Sequence, residues 1–252
     1  MNIDLNSDVG ESFGAYTIGA DAELMPLITS ANIACGFHAS DPLVMNRTVA
    51  LAQANGVSVG AHPGYPDLVG FGRRALDATP DEIENFVLYQ IGALDAFARS
   101  SGVVLRHVKA HGALYNIAAQ DIKTARAIAR GVARYDTDLI LVGLANSALI
   151  DGAREVGLRA AREGFCDRAY NADGTLRSRR ETGAVHDSPD RAAAQALQLA
   201  REHAVTSYGG TTIKLDVDTL CLHVDTPHAV EFARAIRTAL TNAGIEIKPM
   251  LS

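Results

Sequence analysis

Cysteine is scarce in this chain, and most of the short signatures that reveal a function at sight are missing. Cys35, Cys166 and Cys221 are its three cysteines, an odd number without CxxC spacing. That implies no disulfide framework and suits reduced thiols in a cytosolic compartment. The formal charge is −6, with no basic tract and no acidic tail, so neither nucleic acid nor an anionic membrane is an expected partner. No apolar run approaches the roughly 20 residues that span a bilayer. Met1-Asn2-Ile3-Asp4 opens directly into patterned sequence, without the basic and apolar regions of a signal peptide. A soluble, cytoplasmic protein is expected. No GxxxxGK(S/T) is present and no GxGxxG follows a strand pattern, so any nucleotide chemistry would need help from elsewhere. Without repeats or low-complexity linkers, the 252 residues fit one α/β domain.

What the chain does contain is a recurring pattern: an apolar run, a knot of Asp, Asn, His or Lys at its end, then a helix. The clearest case is Asn32 to Asp41, in which the run stops at Gly36-Phe37-His38 and Asp41-Pro42 start a helix as N-cap and first helical residue. Strands are expected at 3–9, near Cys35, and at 57–61, 104–108, 139–144, 159–165 and 219–222, with a short closing strand around Ile245 and Ile247. Helices are expected at 21–28, from Pro42 to Asn55-Gly56, from the capping box Thr79-Pro80-Asp81-Glu82 to Ser100, and at 121–135. Others run from a cap at Asn146 to Gly157, from Ser188-Pro189 to about Ala204, and from Thr226-Pro227 to Gly244. Residues 169–187 carry no helical or continuous apolar pattern; with the turn Asp173-Gly174, they read as a lid, a hairpin or a disordered excursion.

About seven strand–helix units fit either a doubly wound sheet or a (β/α) barrel. The strand ends decide between them. An open sheet loads only the strands at its switch point, whereas a barrel turns nearly all of its C-terminal strand ends toward one mouth. Here six ends carry chemistry: Asp8, His38, His62, Lys109 with His111, Asp167 with Arg168, and His223 with Asp225. Asp4, Asn6 and Asp8 also alternate along the first strand and so share one face. Histidines and carboxylates at one mouth could ligate a divalent metal that activates water, or act directly as acid and base. Lys109 needs an anionic partner if buried, either Asp8 or a substrate carboxylate. The Gly70-Phe71-Gly72-Arg73-Arg74 loop is readable as an anion site or as a solvated turn.

Six segments, taken together, resemble the LamB/YcsF lactam-utilisation family. They are Asp4 to Glu11, Asn32 to His38, Gly60 to Asp67, Gly70 to Arg74, Val108 to Tyr115 and Cys221 to Pro227. The resemblance implies a distorted (β/α) barrel related to glycoside hydrolases and deacetylases. It also implies the A component of an ATP-dependent 5-oxoprolinase, which opens 5-oxo-L-proline to L-glutamate with partner subunits B and C. On that basis Asp8, His38 and His62 are expected to activate water, by metal ligation or proton transfer. His111 would protonate the leaving nitrogen, Asp225 would orient His223, Lys109 and Arg168 would hold the substrate carboxylate or a phosphate, and Asn6, Glu11 and Asn32 would also bind substrate. Two alternatives remain: a stand-alone metal-dependent deacetylase or amidohydrolase, and a noncatalytic component that only binds oxoproline. The chain has Ser40, Ala110 and Val224 where the family usually has Gly, Pro and Gly.

Overall fold

The computed structural model describes residues 1–223 and 228–250. Seven parallel strands close into a barrel in the order β1 (Asn2–Val9), β2 (Ser30–Ala34), β3 (Ser58–His62), β4 (Leu105–Lys109), β5 (Ile140–Leu144), β6 (Arg159–Phe165) and β9 (Thr219–Leu222). Closure is the pairing of β9 with β1, with Asp4 opposite Thr219 and Ser7 opposite Leu222. A short strand, β10 (Glu246–Ile247), pairs with the start of β1 outside the ring. The barrel of about seven units expected from the strand ends is the one observed.

Helices form where their caps predict. In α2 (Pro42–Ala54) the Asp41 carboxylate accepts from the N–H groups of Leu43 and Val44, and α3 (Pro80–Ser100) starts with the reciprocal Thr79–Glu82 capping box. α5 (Ile122–Tyr135) packs closely on α3 because Gly131 has no side chain; a Cβ there would lie 2.7 Å from the Glu84 carbonyl oxygen. Of the helix expected at 21–28, the structure forms α1 (Asp21–Leu24) and a 3-10 turn, Met25–Leu27.

Other boundaries shift. A separate helix, α4 (Gly112–Ala118), follows His111 directly, and α6 (Ala148–Glu155) starts after Ser147 because Asn146 adopts a left-handed φ of 62°. α7 (Pro189–Leu197) ends in a π turn, and His203 at φ 50° turns the chain into a hairpin of β7 (Ala204–Thr206) and β8 (Thr212–Lys214). The Ala-rich helical pattern hid that hairpin, whose turn signal is Gly209-Gly210. α8 (Ala229–Asn242) is the last helix; its expected opening at Thr226-Pro227 lies outside the described residues. Within 169–187 the chain folds as a strap, with bridges Arg168 to Val185 and Tyr170 to Leu176.

Apolar residues of the strands face the helices, as Leu5, Val9, Ile33 and Val108 do at 0% exposure. The barrel interior is different. Barrels of this kind usually fill it with layers of branched apolar side chains, but here Asp4, Asn6, Asn32, His107, Glu163 and Thr219 occupy it, all buried and hydrogen-bonded. Gly60 makes room for this, because a Cβ at that position would lie 2.3 Å from the His107 ring.

Ser40 holds a left-handed φ of 74°, is fully buried, and its hydroxyl has no hydrogen-bond partner among the described residues. Both conditions favour glycine. Ser40→Gly should raise stability by about 1 kcal/mol, read as a higher urea midpoint with an unchanged m value.

Candidate active site

The floor of the barrel mouth is an ion triad. Lys109, 2% exposed, places Nζ 2.9 Å from Asp8 Oδ1 and 2.8 Å from Glu163 Oε1. The same ammonium lies 3.3 Å from Asn6 Oδ1 and 3.1 Å from Cys221 Sγ. Burial alone would lower the lysine's pKa, but the two carboxylates raise it well above its ordinary value. For Asp8, burial opposes ionisation, while His62 and Lys109 hold its pKa well below the usual carboxylate range. Beneath the triad, Asn32 Nδ2 donates to Asp8 Oδ1 at 2.9 Å and to Asn6 Oδ1 at 2.8 Å, and Asn6 donates to Glu163 and Thr219. His107 Nε2 completes this layer with a donation to Asn32 Oδ1 at 2.7 Å.

Two expectations change here. Asn6 and Asn32 do not line the cavity; they lie under it, fully buried, and orient Asp8, Lys109 and Glu163. Lys109 does reach the cavity, but its ammonium is held by side chains of the floor rather than left to grip a substrate carboxylate.

Beside the triad, His62 Nδ1 lies 2.7 Å from the Lys109 carbonyl oxygen and His111 Nε2 lies 2.9 Å from that of Phe71. A carbonyl only accepts, so both nitrogens carry hydrogen. The other two nitrogens, His62 Nε2 and His111 Nδ1, then face one another 3.0 Å apart. Asp8 Oδ2 is 3.3 Å from the former, and Glu11 Oε1 is 3.4 Å from the latter and from His38 Nε2. The His38 ring stacks on that of His111 at 3.7 Å between centroids. Burial, reinforced by the neighbouring imidazoles, pushes the pKa of both His38 and His111 well below 6.5, so these rings are neutral. Lone pairs and carboxylate oxygens therefore converge on one small volume, which can take up a proton or a cation.

The donor set fits a divalent ion of the zinc type. Ligand atoms of Glu11, His38, His62 and His111 all lie within 4.8 Å of one another. Neutral imidazoles are the form that ligates, and the carbonyl partners of His62 and His111 provide the orienting outer hydrogen bonds such ligands have. This differs from the expected set of Asp8, His38 and His62: Glu11 and His111 join, and Asp8 belongs to a second group with Cys221 and His223. In that second group the Lys109 ammonium already stands against Asp8 and Cys221.

The opposite wall comes from β6 and the strap. Asp167 accepts from His223 Nδ1 at 2.9 Å and from the His223 backbone N–H. Asp167, at the end of β6, thus orients His223; Asp225, from which that role is expected, lies outside the described residues. Burial would raise the Asp167 pKa, but His223, with Arg179 and Arg168 nearby, holds it at about 2. Arg168 is fixed by the carbonyl oxygens of Ala184 and Arg177, and burial and Arg179 lower its pKa to about 10. The cavity measures about 610 Å³ and runs from Asp8, Glu11, His62 and His111 to Arg168 and the strap arginines. It thus joins a carboxylate–imidazole floor to a cationic wall.

Glu163, His107 and Tyr115 belong to this arrangement, although the strand-end pattern does not single them out. His107 is legible in principle, two residues before Lys109 and so on the same strand face. Glu163 is obscured because Arg159 to Phe165 carries no apolar alternation.

Lys109→Met leaves Asp8 and Glu163 buried without their cation, and should cost about 3–5 kcal/mol in urea unfolding. Asp167 has its folded pKa depressed from 3.8 to about 2. Its contribution is therefore present above pH 4 and lost as pH falls through 2. Between pH 5 and pH 2 the wild type should lose about 2 kcal/mol more than Asp167→Asn, measured by chemical denaturation at each pH.

Residues 3–252 match the LamB/YcsF family. Curated relatives named as the A subunit of 5-oxoprolinase include those of Pyrococcus furiosus, 52% identical over 99% of this chain and 98% of the relative, and Symbiobacterium thermophilum, 56% identical over 97% and 94%. The crystal structure of a lactam utilization protein from Thermus thermophilus superposes with a TM-score of 0.94 at 48% identity, covering 98% of this chain and 99% of that one. The motifs that build the site span almost the whole of the matched length, and the chain belongs to the LamB/YcsF family.

Proposed function

We propose that this chain opens the ring of 5-oxo-L-proline by hydrolysis, yielding L-glutamate, as the A component of a 5-oxoprolinase. The observation that carries the reading is the facing pair His62 Nε2 and His111 Nδ1, 3.0 Å apart and flanked by Asp8 and Glu11 at the floor of an open cavity. Relatives more than half identical over nearly the full length carry the oxoprolinase name, which supports the choice of substrate.

The steps balance around one proton. Water attacks the lactam carbonyl carbon while His62 takes one of its hydrogens. The proton is shared with His111 Nδ1, and the carboxylates of Asp8 and Glu11 stabilise the imidazolium. As the C–N bond breaks, the same proton passes to the leaving nitrogen, giving an amine and a carboxylic acid, and the acid's own proton then moves to the amine to leave an ammonium and a carboxylate. Arg168 receives the substrate's carboxylate or a phosphate, and His223, oriented by Asp167, closes the far wall. If bound, a divalent ion on Glu11, His38, His62 and His111 would occupy the same lone pairs and, in place of the imidazole base, would supply Lewis acidity and lower the pKa of water.

A lactam is a resonance-stabilised amide and a poor electrophile. ATP enters the reading at this point: partner subunits B and C would phosphorylate the amide oxygen, and this chain would perform water attack and ring opening to an acyl phosphate, which a second water cleaves to glutamate and inorganic phosphate. A second reading, a metal-dependent amidohydrolase acting alone, is favoured by the Glu11, His38, His62 and His111 group.

Glutamate release from 5-oxo-L-proline, with and without ATP and the two partners, separates the two. Release only in the complete mixture is expected; release by the chain alone, abolished by a chelator, would replace the oxoprolinase reading with the second. In the complete mixture, Asp8→Asn and His62→Ala should each lower kcat at least 100-fold with the far-UV circular dichroism spectrum unchanged.

A further inference from the structure

Tyr115 closes the Val108 to Tyr115 motif, yet the steps above give it no task. It stands on α4 one turn beyond His111, is 4% exposed and lines the cavity. Its hydroxyl donates to Glu163 Oε2 at 2.6 Å. Glu163 is fully buried, and its other partners, Lys109 Nζ at 2.8 Å and Asn6 Nδ2 at 3.1 Å, are donors as well. The carboxylate can only accept, so the single phenolic hydrogen is committed to it and Tyr115 Oη keeps acceptor lone pairs alone. Burial and the Glu163 charge push the phenol's pKa well above 10, so that hydrogen stays in place.

5-Oxo-L-proline has one hydrogen-bond donor on its ring, the lactam N–H. We propose that Tyr115 is a specificity-determining residue that accepts the N–H of a secondary lactam, and that Glu163 is the positioning residue that sets the direction of its hydroxyl. This rests on the lactam-opening reading. A site with a committed acceptor rejects a ligand that cannot donate, because the acceptor is then left without a partner and faces an alkyl group. N-alkylated lactams should therefore be excluded even though the cavity has room for them.

Calorimetric titration of the purified chain with 5-oxo-L-proline and with its N-methyl derivative tests this. The wild type should bind the N–H compound roughly tenfold or more tightly than the N-methyl compound. Tyr115→Phe should bring the ratio near one by weakening the N–H compound. In Glu163→Gln the new amide donates to the phenol and turns the hydroxyl hydrogen toward the cavity, so this variant should lose the preference too. A purely structural role would weaken both compounds alike and leave the ratio unchanged. If Glu163→Gln does not fold, the Tyr115→Phe ratio carries the test. Equal binding of both compounds by the wild type, or an unchanged ratio in Tyr115→Phe, overturns the assignment and leaves the lactam reading standing. No binding of either compound by the wild type overturns that reading and the proposal with it.

Discussion

One buried ammonium organises the interior of this barrel. Lys109 on β4 reaches across the ring to Asp8 on β1 and Glu163 on β6, and the carboxamides of Asn32 and Asn6 donate to the same two oxygens that it holds, Asp8 Oδ1 and Glu163 Oε1. Two carboxylates this close would not both stay ionised in an apolar interior, because their repulsion adds to the cost of desolvation. The ammonium between them removes that conflict. It also fixes Asp8 by one oxygen, so that the other faces His62. The chemistry at the mouth depends on this arrangement below it.

The polar filling takes the place of the usual apolar plug. Each interior layer is tied to the next through groups with two or more partners. Thr219 accepts from Asn6 and donates to Asp4, and Ser30 and Thr29 complete the shell around that aspartate. Such networks are favourable only when nearly every member is satisfied. Among the described residues, His107 Nδ1 is the exception in the middle layer, and burial lowers the pKa of that ring to about 3, keeping it neutral.

Most of the fold and much of the site can be read from the chain because both signals are local. Strand ends at His38, His62, Lys109 and His111 announce a common mouth, and the caps at Asp41 and Thr79 mark the helices that follow. Partnerships across the barrel cannot be read in this way. Nothing near Glu163 in sequence indicates that it meets Lys109 and Tyr115, and nothing near Asp167 indicates that its carboxylate meets His223. The grouping of Glu11 and His111 with His38 and His62 depends on how far each side chain reaches past its strand end, which periodicity does not encode. The hairpin after α7 is hidden for the opposite reason, because strong local helical composition runs past a left-handed residue at His203.

The loop from Gly70 to Arg74 lies over the histidines closely enough that a Cβ at Gly72 would come within 2.7 Å of His38 Cβ and 2.9 Å of the His111 ring. Phe71 adds its carbonyl and its ring to the same cover. With the barrel interior below and this cover beside them, the imidazoles open to solvent through the cavity. A ligand seated against His62 and His111 would therefore stand on the route by which bulk protons reach them, so that binding and proton exchange share one opening.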